Sequence, residues 1–152
     1  MATVNGKFWN LNVPAPIGDA DEDAVVLREL SVTPGATNDI RQICRIPRGV
    51  TIAGAMVQIG DMDTGAALVF SLRLNNGTTT KDIINLSSAG QAGGLATTTK
   101  GPATEPGFGF TTDSKLWWLE IIWTTQAAGA QAADLVIVLK LTGWYQKGAL
   151  TE

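Results

Sequence analysis

The sequence contains no histidine, and this absence excludes several kinds of chemistry at once. Catalysis by Ser-His-Asp or Cys-His groups, histidine-ligated zinc or iron, and histidine pH switching all need that side chain. The single cysteine, Cys44, cannot form a disulfide within the chain and so does not reveal an oxidising compartment. Its alternating position favours a small core residue. We expect no cofactor and no bound metal.

Charged residues are also scarce, at 16% of the 152 residues, against about 25% in an ordinary soluble domain. Eleven basic and 14 acidic residues give a net charge of −3, which offers no electrostatic footprint for nucleic acid. Small neutral residues replace the missing charge, with 19 alanines, 18 threonines and 17 glycines. Such a surface is poorly protected against association, so we expect a homo-oligomer.

Long hydrophobic runs are absent as well. No run approaches the roughly 20 apolar residues of a membrane span, and the first residues lack the apolar region and cleavage site of a signal peptide. We therefore expect no membrane partner, and we expect synthesis and assembly in the cytoplasm.

The apolar residues alternate in short runs separated by Gly, Pro, Asn and Thr, with no amphipathic helical pattern of ten residues or more. This pattern predicts an all-β fold, an antiparallel β-sandwich of about eight strands with jelly-roll-like topology. The predicted strands cover residues 24–30, 40–46, 50–59, 67–74, 81–86, 107–111, 115–125 and 133–144. Between them, residues 87–106 hold hardly a large side chain and are predicted to form one long surface loop.

Three parts follow from this reading: an extended N-terminal arm over residues 1–23, the β-sandwich over 24–145, and a C-terminal tail over 146–152. The arm carries large apolar residues without alternation, so they must either pack back on the domain or dock on a partner. The residues predicted to form a partner interface are Phe8, Trp9, Leu11, Val13, Trp118, Trp144 and Tyr145.

Adjacent tryptophans on one predicted strand must point to opposite faces of the sheet. One of Trp117 and Trp118 therefore belongs in the core, and the other projects outward. An outward tryptophan is either buried by a neighbouring subunit or stacked on a sugar ring. Glu120 and Lys140 are the nearby polar side chains that could reach sugar hydroxyls. We favour packing and an interface, with a carbohydrate-binding module that uses Trp118 or Trp144 as the alternative.

The motif Asp63-Thr64-Gly65-Ala66 matches the active-site signature of aspartic proteases. The preceding pair is not apolar, and no apolar-apolar-Gly element follows to support the loop. A hairpin loop whose Asp and Thr side chains cap the backbone is therefore favoured over a dimeric protease. The same segment resembles the opening of a calcium loop, but its twelfth position is Leu72 and not glutamate. We expect no enzymatic activity.

Three further segments form a pattern of turns and small residues: a Pro-x-Gly turn that leads a strand, an Asp-Thr-Gly hairpin, and a later Ala-Gly-Gln-Ala-Gly run. They read Ile46-Pro47-Arg48-Gly49-Val50-Thr51-Ile52-Ala53-Gly54, Asp61-Met62-Asp63-Thr64-Gly65-Ala66 and Ser87-Ser88-Ala89-Gly90-Gln91-Ala92-Gly93-Gly94. Over residues 40–100 this pattern resembles a group of small virion proteins of tailed bacteriophages, similar to head decoration, or cement, proteins.

The resemblance implies a β-sandwich module on the outside of an icosahedral capsid, with the major capsid protein as partner and the virion as location. A homo-oligomer would multiply weak contacts with a repeating shell into strong avidity. We expect a cyclic trimer first and a dimer second. A tail- or fibre-associated virion protein is the alternative within the same group.

Overall fold

The computed structural model describes residues 1–6, 23–98, 110–113 and 116–143. Within these ranges the chain forms ten β-strands and one short 3₁₀ helix, η1. In chain order they are β1 (Thr3–Asn5), β2 (Asp23–Val32), β3 (Ile40–Ile46), β4 (Val50–Ile59), β5 (Val69–Asn75), β6 (Thr80–Ser87), η1 (Ala89–Gln91), β7 (Gly94–Thr97), β8 (Phe110–Thr111), β9 (Trp117–Thr125) and β10 (Ala133–Gly143). No helix in the described ranges is long and apolar enough to cross a membrane.

The strands form two sheets. Sheet A has the order β1-β3-β9-β5-β6, and sheet B has the order β2-β10-β4-β7, with β8 also paired to β4. Strand β1 runs parallel to β3, and the other described pairs are antiparallel. The pairing is nested: β2 with β10, β3 with β9, β4 with β7, and β5 with β6. This is a jelly roll, so the predicted fold class is confirmed.

Two connections follow from turn chemistry visible in the sequence. Strands β3 and β4 have the predicted bounds, and Gly49 between them has a φ of +71°. After β5, Gly77 has a φ of +85°. The Asn76 side chain accepts hydrogen bonds from the backbone N–H groups of Thr78 and Thr79. Both glycines adopt the left-handed backbone that other residues avoid.

The prediction of one long loop over residues 87–106 is wrong in its first half. Helix η1 and strand β7 lie there, and β7 pairs antiparallel with β4. Only Ala96 of β7 is buried, because its neighbours point away from the core. Hydrogen bonds to the β4 backbone hold β7 in place. The strand therefore does not need the large apolar residues by which a strand is usually recognised in a sequence. Strand β1 was likewise not predicted, since all three of its residues are exposed.

The core lies between the sheets, where the alternating residues of both inner faces meet. Its largest fully buried side chains are Phe70, Ile43, Ile46, Ile52, Met62, Leu68, Leu72, Leu74, Ile84, Leu119, Ile121 and Leu135. Trp117 is buried and Trp118 is half-buried on the outer face, as the alternation predicts. Cys44 is buried too, and burial, followed by the negative charge of Glu29, raises the pKa of its thiol to about 12.

One ion pair crosses from sheet to sheet. Glu29 of β2 and Arg41 of β3 form a salt bridge, and the Glu29 side chain is only 3% exposed. Gly6, just after β1, donates its N–H to the Gln42 carbonyl at 2.6 Å. A methyl group on Gly6 would collide with the Glu29 carboxylate, so glycine is required for this close approach.

The first and last long strands of sheet B are neighbours. Asp23, where β2 begins, lies opposite Leu141, two residues before β10 ends at Gly143. The segments before β2 and after β10 are therefore joined to the sandwich at the same end of the same sheet.

Candidate functional site

The outer face of sheet B carries an apolar surface. Val26, Val138 and Met56 lie side by side in one cross-strand row, and Val136 and Leu95 belong to the adjacent row. Val26 is 62% exposed and Leu95 is 57% exposed. We call these five residues the apolar face of sheet B. Gln58 lies between Val136 and Leu95, and Val136 and Val138 are half-buried, so the apolar surface is interrupted. Exposed apolar side chains grouped on one face mark interaction surfaces.

A shallow cavity of about 270 Å³ adjoins the apolar face of sheet B. The small residues of β4 leave this space open, and its lining also includes polar and charged side chains. The lining residues are Ala53, Gly54, Ala55, Met56, Thr97, Thr98, Val138 and Lys140. The register of β10 against β4 shifts at this point, which indicates a β-bulge. The apolar face therefore has a recess as well as a flat part.

Charged residues border the apolar face at its other end. Arg28 donates to Asp134 at 3.0 Å, and both side chains are largely exposed, at 65% and 48%. The hydrogen bond from Arg28, followed by one from the Ser31 backbone, lowers the pKa of Asp134. An exposed pair of this kind contributes little to stability.

The outer face of sheet A is polar around Trp118. In one row Trp118 of β9 lies between Arg45 of β3 and Asn75 of β5. In the next row Glu120 lies between Gln42 and Arg73. We call Trp118, Arg45, Asn75, Glu120 and Arg73 the Trp118 cluster.

Glu120 has no exposed surface, although it points to the outer side of its sheet. Its Oε1 accepts hydrogen bonds from Arg73 Nε at 2.7 Å and from Asn75 Nδ2 at 3.0 Å. Its Oε2 and Arg45 Nε are both buried and find no hydrogen-bond partner among the described residues. The Trp118 cluster therefore holds one unused acceptor and one unused donor, which is uncommon for buried polar atoms.

Asp63 organises its loop. Its Oδ1 accepts from the N–H groups of Gly65 and Gly129 at 2.9 and 2.8 Å, and its Oδ2 accepts from Ala67 and Leu68 at 2.6 and 2.7 Å. Burial raises the pKa of Asp63, but these four hydrogen bonds outweigh it and hold the pKa well below its ordinary value.

This geometry supports the loop-capping interpretation of Asp63. With four donors on two oxygens, the carboxylate has no oxygen left to share a proton with a second aspartate, as an aspartic protease requires. Among the described residues, no group of three His, Cys, Asp or Glu side chains is placed to hold a metal ion.

Of the seven predicted interface residues, the structure describes Trp118. Phe8, Trp9, Leu11, Val13, Trp144 and Tyr145 lie outside the described residues. Trp118 has Glu120 beside it, whereas Lys140 does not lie near Trp118. Lys140 belongs to β10 of sheet B, because β9 and β10 follow each other in the chain but lie in different sheets.

Sequence reasoning missed Arg45, Asn75 and Arg73 as neighbours of Trp118. They lie on strands that flank β9 in sheet A, far away in the chain. Strand order alone brings these side chains together, and alternation within single strands carries no signal of it.

Comparison with solved structures finds the same fold in phage capsids. A chain of the capsid of Ralstonia phage GP4 matches with a TM-score of 0.73 at 20% identity, covering 95% of this chain and 100% of that chain. A chain of the cyanophage Pam1 capsid asymmetric unit matches with a TM-score of 0.56 at 19% identity, covering 85% and 91%. No protein family and no curated protein matches the sequence. At these identities the likeness establishes a shared fold.

Proposed function

We propose that this chain is a structural protein of a bacteriophage particle, and more specifically a head decoration (cement) protein. It binds the outer surface of the capsid through the major capsid protein and stabilises the shell. It acts without catalysis, in the virion, after assembly in the host cytoplasm. A tail- or fibre-associated position is the alternative within the same class.

The observation that carries this proposal is the extent of the structural match. The whole of a chain from the Ralstonia phage GP4 capsid corresponds to 95% of this one. A match to one domain of a much larger protein would be weaker support for a shared function, because jelly rolls serve many functions. The turn and small-residue pattern of residues 40–100 supports the same class from the sequence side.

The surface chemistry supports a role in binding to other proteins. The apolar face of sheet B exposes Val26 and Leu95 without a covering element among the described residues, and the chain has few charges to keep such a face apart from neighbours. We place the protein contact on this face and on the apolar residues of the arm and tail. The predicted interface residues Phe8, Trp9, Leu11, Val13, Trp144 and Tyr145 belong to this contact, and Trp118 is its candidate on sheet A.

The test is binding of the purified protein to capsids assembled without it, followed by co-sedimentation. Val26→Asp places a charge on the apolar face and should weaken binding about ten-fold or more. Leu86→Asp is the matched control, since Leu86 is also 62% exposed but lies on β6 of the other sheet. Equal binding by both variants and the parent would remove the apolar face of sheet B from the contact.

The arm is tested by substitution and not by deletion, because removing the first residues would also remove β1 from sheet A. Phe8→Ser combined with Trp9→Ser should reduce capsid binding while the fold, followed by circular dichroism, is unchanged. Undiminished binding would contradict the arm assignment.

The oligomeric state follows from the same proposal. We expect a homo-oligomer, a trimer first and a dimer second, since a closed ring matches a symmetry axis of the shell. Sedimentation equilibrium of the full chain measures it directly. A monomer at every accessible concentration, with no affinity for capsids, would overturn the proposed function.

A further inference from the structure

The two outer faces of the sandwich differ in chemistry. Sheet B exposes aliphatic side chains, whereas the Trp118 cluster of sheet A surrounds one half-buried aromatic ring with guanidinium, carboxamide and carboxylate groups. Protein–protein interfaces are enriched in tryptophan and arginine, but a glutamate such as Glu120 is uncommon in their buried core. A ligand for the Trp118 cluster must therefore be polar and still offer an apolar surface to an indole ring.

The buried polar atoms narrow the class of ligand further. Glu120 Oε2 needs a hydrogen-bond donor, and Arg45 Nε needs an acceptor. A carboxylate from a partner would suit Arg45 but would be repelled by Glu120. An amine would suit Glu120 but would be repelled by Arg45.

From this combination we infer that the Trp118 cluster is a saccharide-binding site. A pyranose ring stacks its C–H face on Trp118, and neighbouring hydroxyl groups donate towards Glu120 and accept from Arg45. One hydroxyl group is both donor and acceptor, so a single ligand class satisfies both unused atoms. The site is separate from the capsid contact on sheet B, and it goes beyond the proposed function because it assigns Trp118 to a saccharide and not to the protein contact.

The cluster is partly organised before any ligand binds. Glu120 Oε1 holds Arg73 and Asn75 in place, and the Asn75 side chain is fixed from its other side by the Gly77 N–H at 2.8 Å. Arg45 Nε and Glu120 Oε2 are both buried, so a hydroxyl group reaches them only after the Arg45 side chain turns aside. The fixed neighbours lower the ordering cost of binding, whereas ordering the Arg45 side chain adds to it.

The experiment is isothermal titration of the full-length protein with four trisaccharides: maltotriose, cellotriose, chitotriose and 3′-sialyllactose. Variants Trp118→Ala and Arg45→Met are titrated in parallel, and circular dichroism verifies their fold. Arg28→Met is the matched control, because it makes the same substitution on the outer face of sheet B. Arg45→Met also keeps the test valid should the tryptophan variant fail to fold.

The inference holds if at least one trisaccharide binds, if both cluster variants weaken it about ten-fold or more, and if the control binds as the parent does. It is overturned if none of the four binds at millimolar concentration, or if the cluster variants bind unchanged. Loss of capsid binding in Trp118→Ala without any saccharide binding would also overturn it and would assign the cluster to a protein neighbour. Capsid binding through the apolar face of sheet B is measured separately, so either idea can fail alone.

Discussion

Glu29 and Arg41 belong to different sheets, yet Arg41 Nε donates a hydrogen bond to Glu29 Oε2 at 2.5 Å, between β3 of sheet A and β2 of sheet B. The Glu29 side chain is 3% exposed and the Arg41 side chain is 19% exposed. Removing Arg41 takes this positive charge away from a carboxylate that is buried, and breaking a buried ion pair is strongly destabilising.

Arg41→Met should therefore lower the free energy of unfolding by about 3–5 kcal/mol. Urea denaturation at neutral pH measures the change. The control is Arg28→Met, which removes the arginine of the exposed pair with Asp134 and should lower the free energy of unfolding far less. Equal losses from the two variants would contradict the distinction between a buried and an exposed pair.

A second prediction concerns Gly6, whose backbone lies against this ion pair. In Gly6→Ala the new methyl group meets the Glu29 carboxylate and the Gln42 carbonyl, so β1 should detach from β3. The Ile40 N–H, which donates to the Ala2 carbonyl at 2.8 Å, then loses its partner. Hydrogen exchange at this amide should quicken about ten-fold or more.

Val4→Ala is the control for Gly6→Ala, since it shortens an exposed side chain of the same strand without a collision. Its Ile40 amide should exchange at the parental rate. Unchanged exchange in Gly6→Ala would show that β1 tolerates a side chain at this position.

A third prediction follows from the backbone hydrogen bonds to Asp63. Its folded pKa lies below the ordinary value of 3.8, so its ionised form stabilises the fold fully above about pH 4. As the pH falls below that, the unfolded chain takes up the proton first and this contribution declines. The gap in urea midpoint between the parent and Asp63→Asn should be widest at neutral pH and should narrow in acid.

Asp61→Asn makes the same substitution two residues earlier, where the side chain accepts one hydrogen bond, from the Asp63 N–H at 3.1 Å. Its effect on the midpoint should be smaller at neutral pH. A gap for Asp63→Asn that stays constant from pH 7 to pH 3 would contradict the role given to its charge.

The fourth prediction concerns Cys44. Because burial raises its pKa to about 12, the thiol is protonated at pH 8 and covered by the core. A disulfide reagent such as Ellman's should react with it only after unfolding in urea. Rapid reaction of the native protein would show that the core opens at β3.

Strands with one buried face are predictable from the sequence, and strands held by backbone pairing alone are not. The apolar alternation of β3 and β4 and the turn at Gly49 predict the first and last residues of both strands, because each strand has one buried face. Strand β7 buries only Ala96, so its pairing with β4 leaves no hydrophobic pattern. The Trp118 cluster depends on which strands flank β9, and this order is set by the nested pairing of the whole domain. The arm and tail contacts stay predictions.

The pairing of Asp23 with Leu141 bears on how this domain withstands force. Tension applied between the segment before β2 and the segment after β10 would pull two neighbouring antiparallel strands apart from their common end. The hydrogen bonds between them would then break one after another rather than together. Arg28 and Glu29, which form salt bridges, lie towards the other end of the β2–β10 pairing. Their salt bridges would oppose the separation only after the hydrogen bonds near Asp23 have broken.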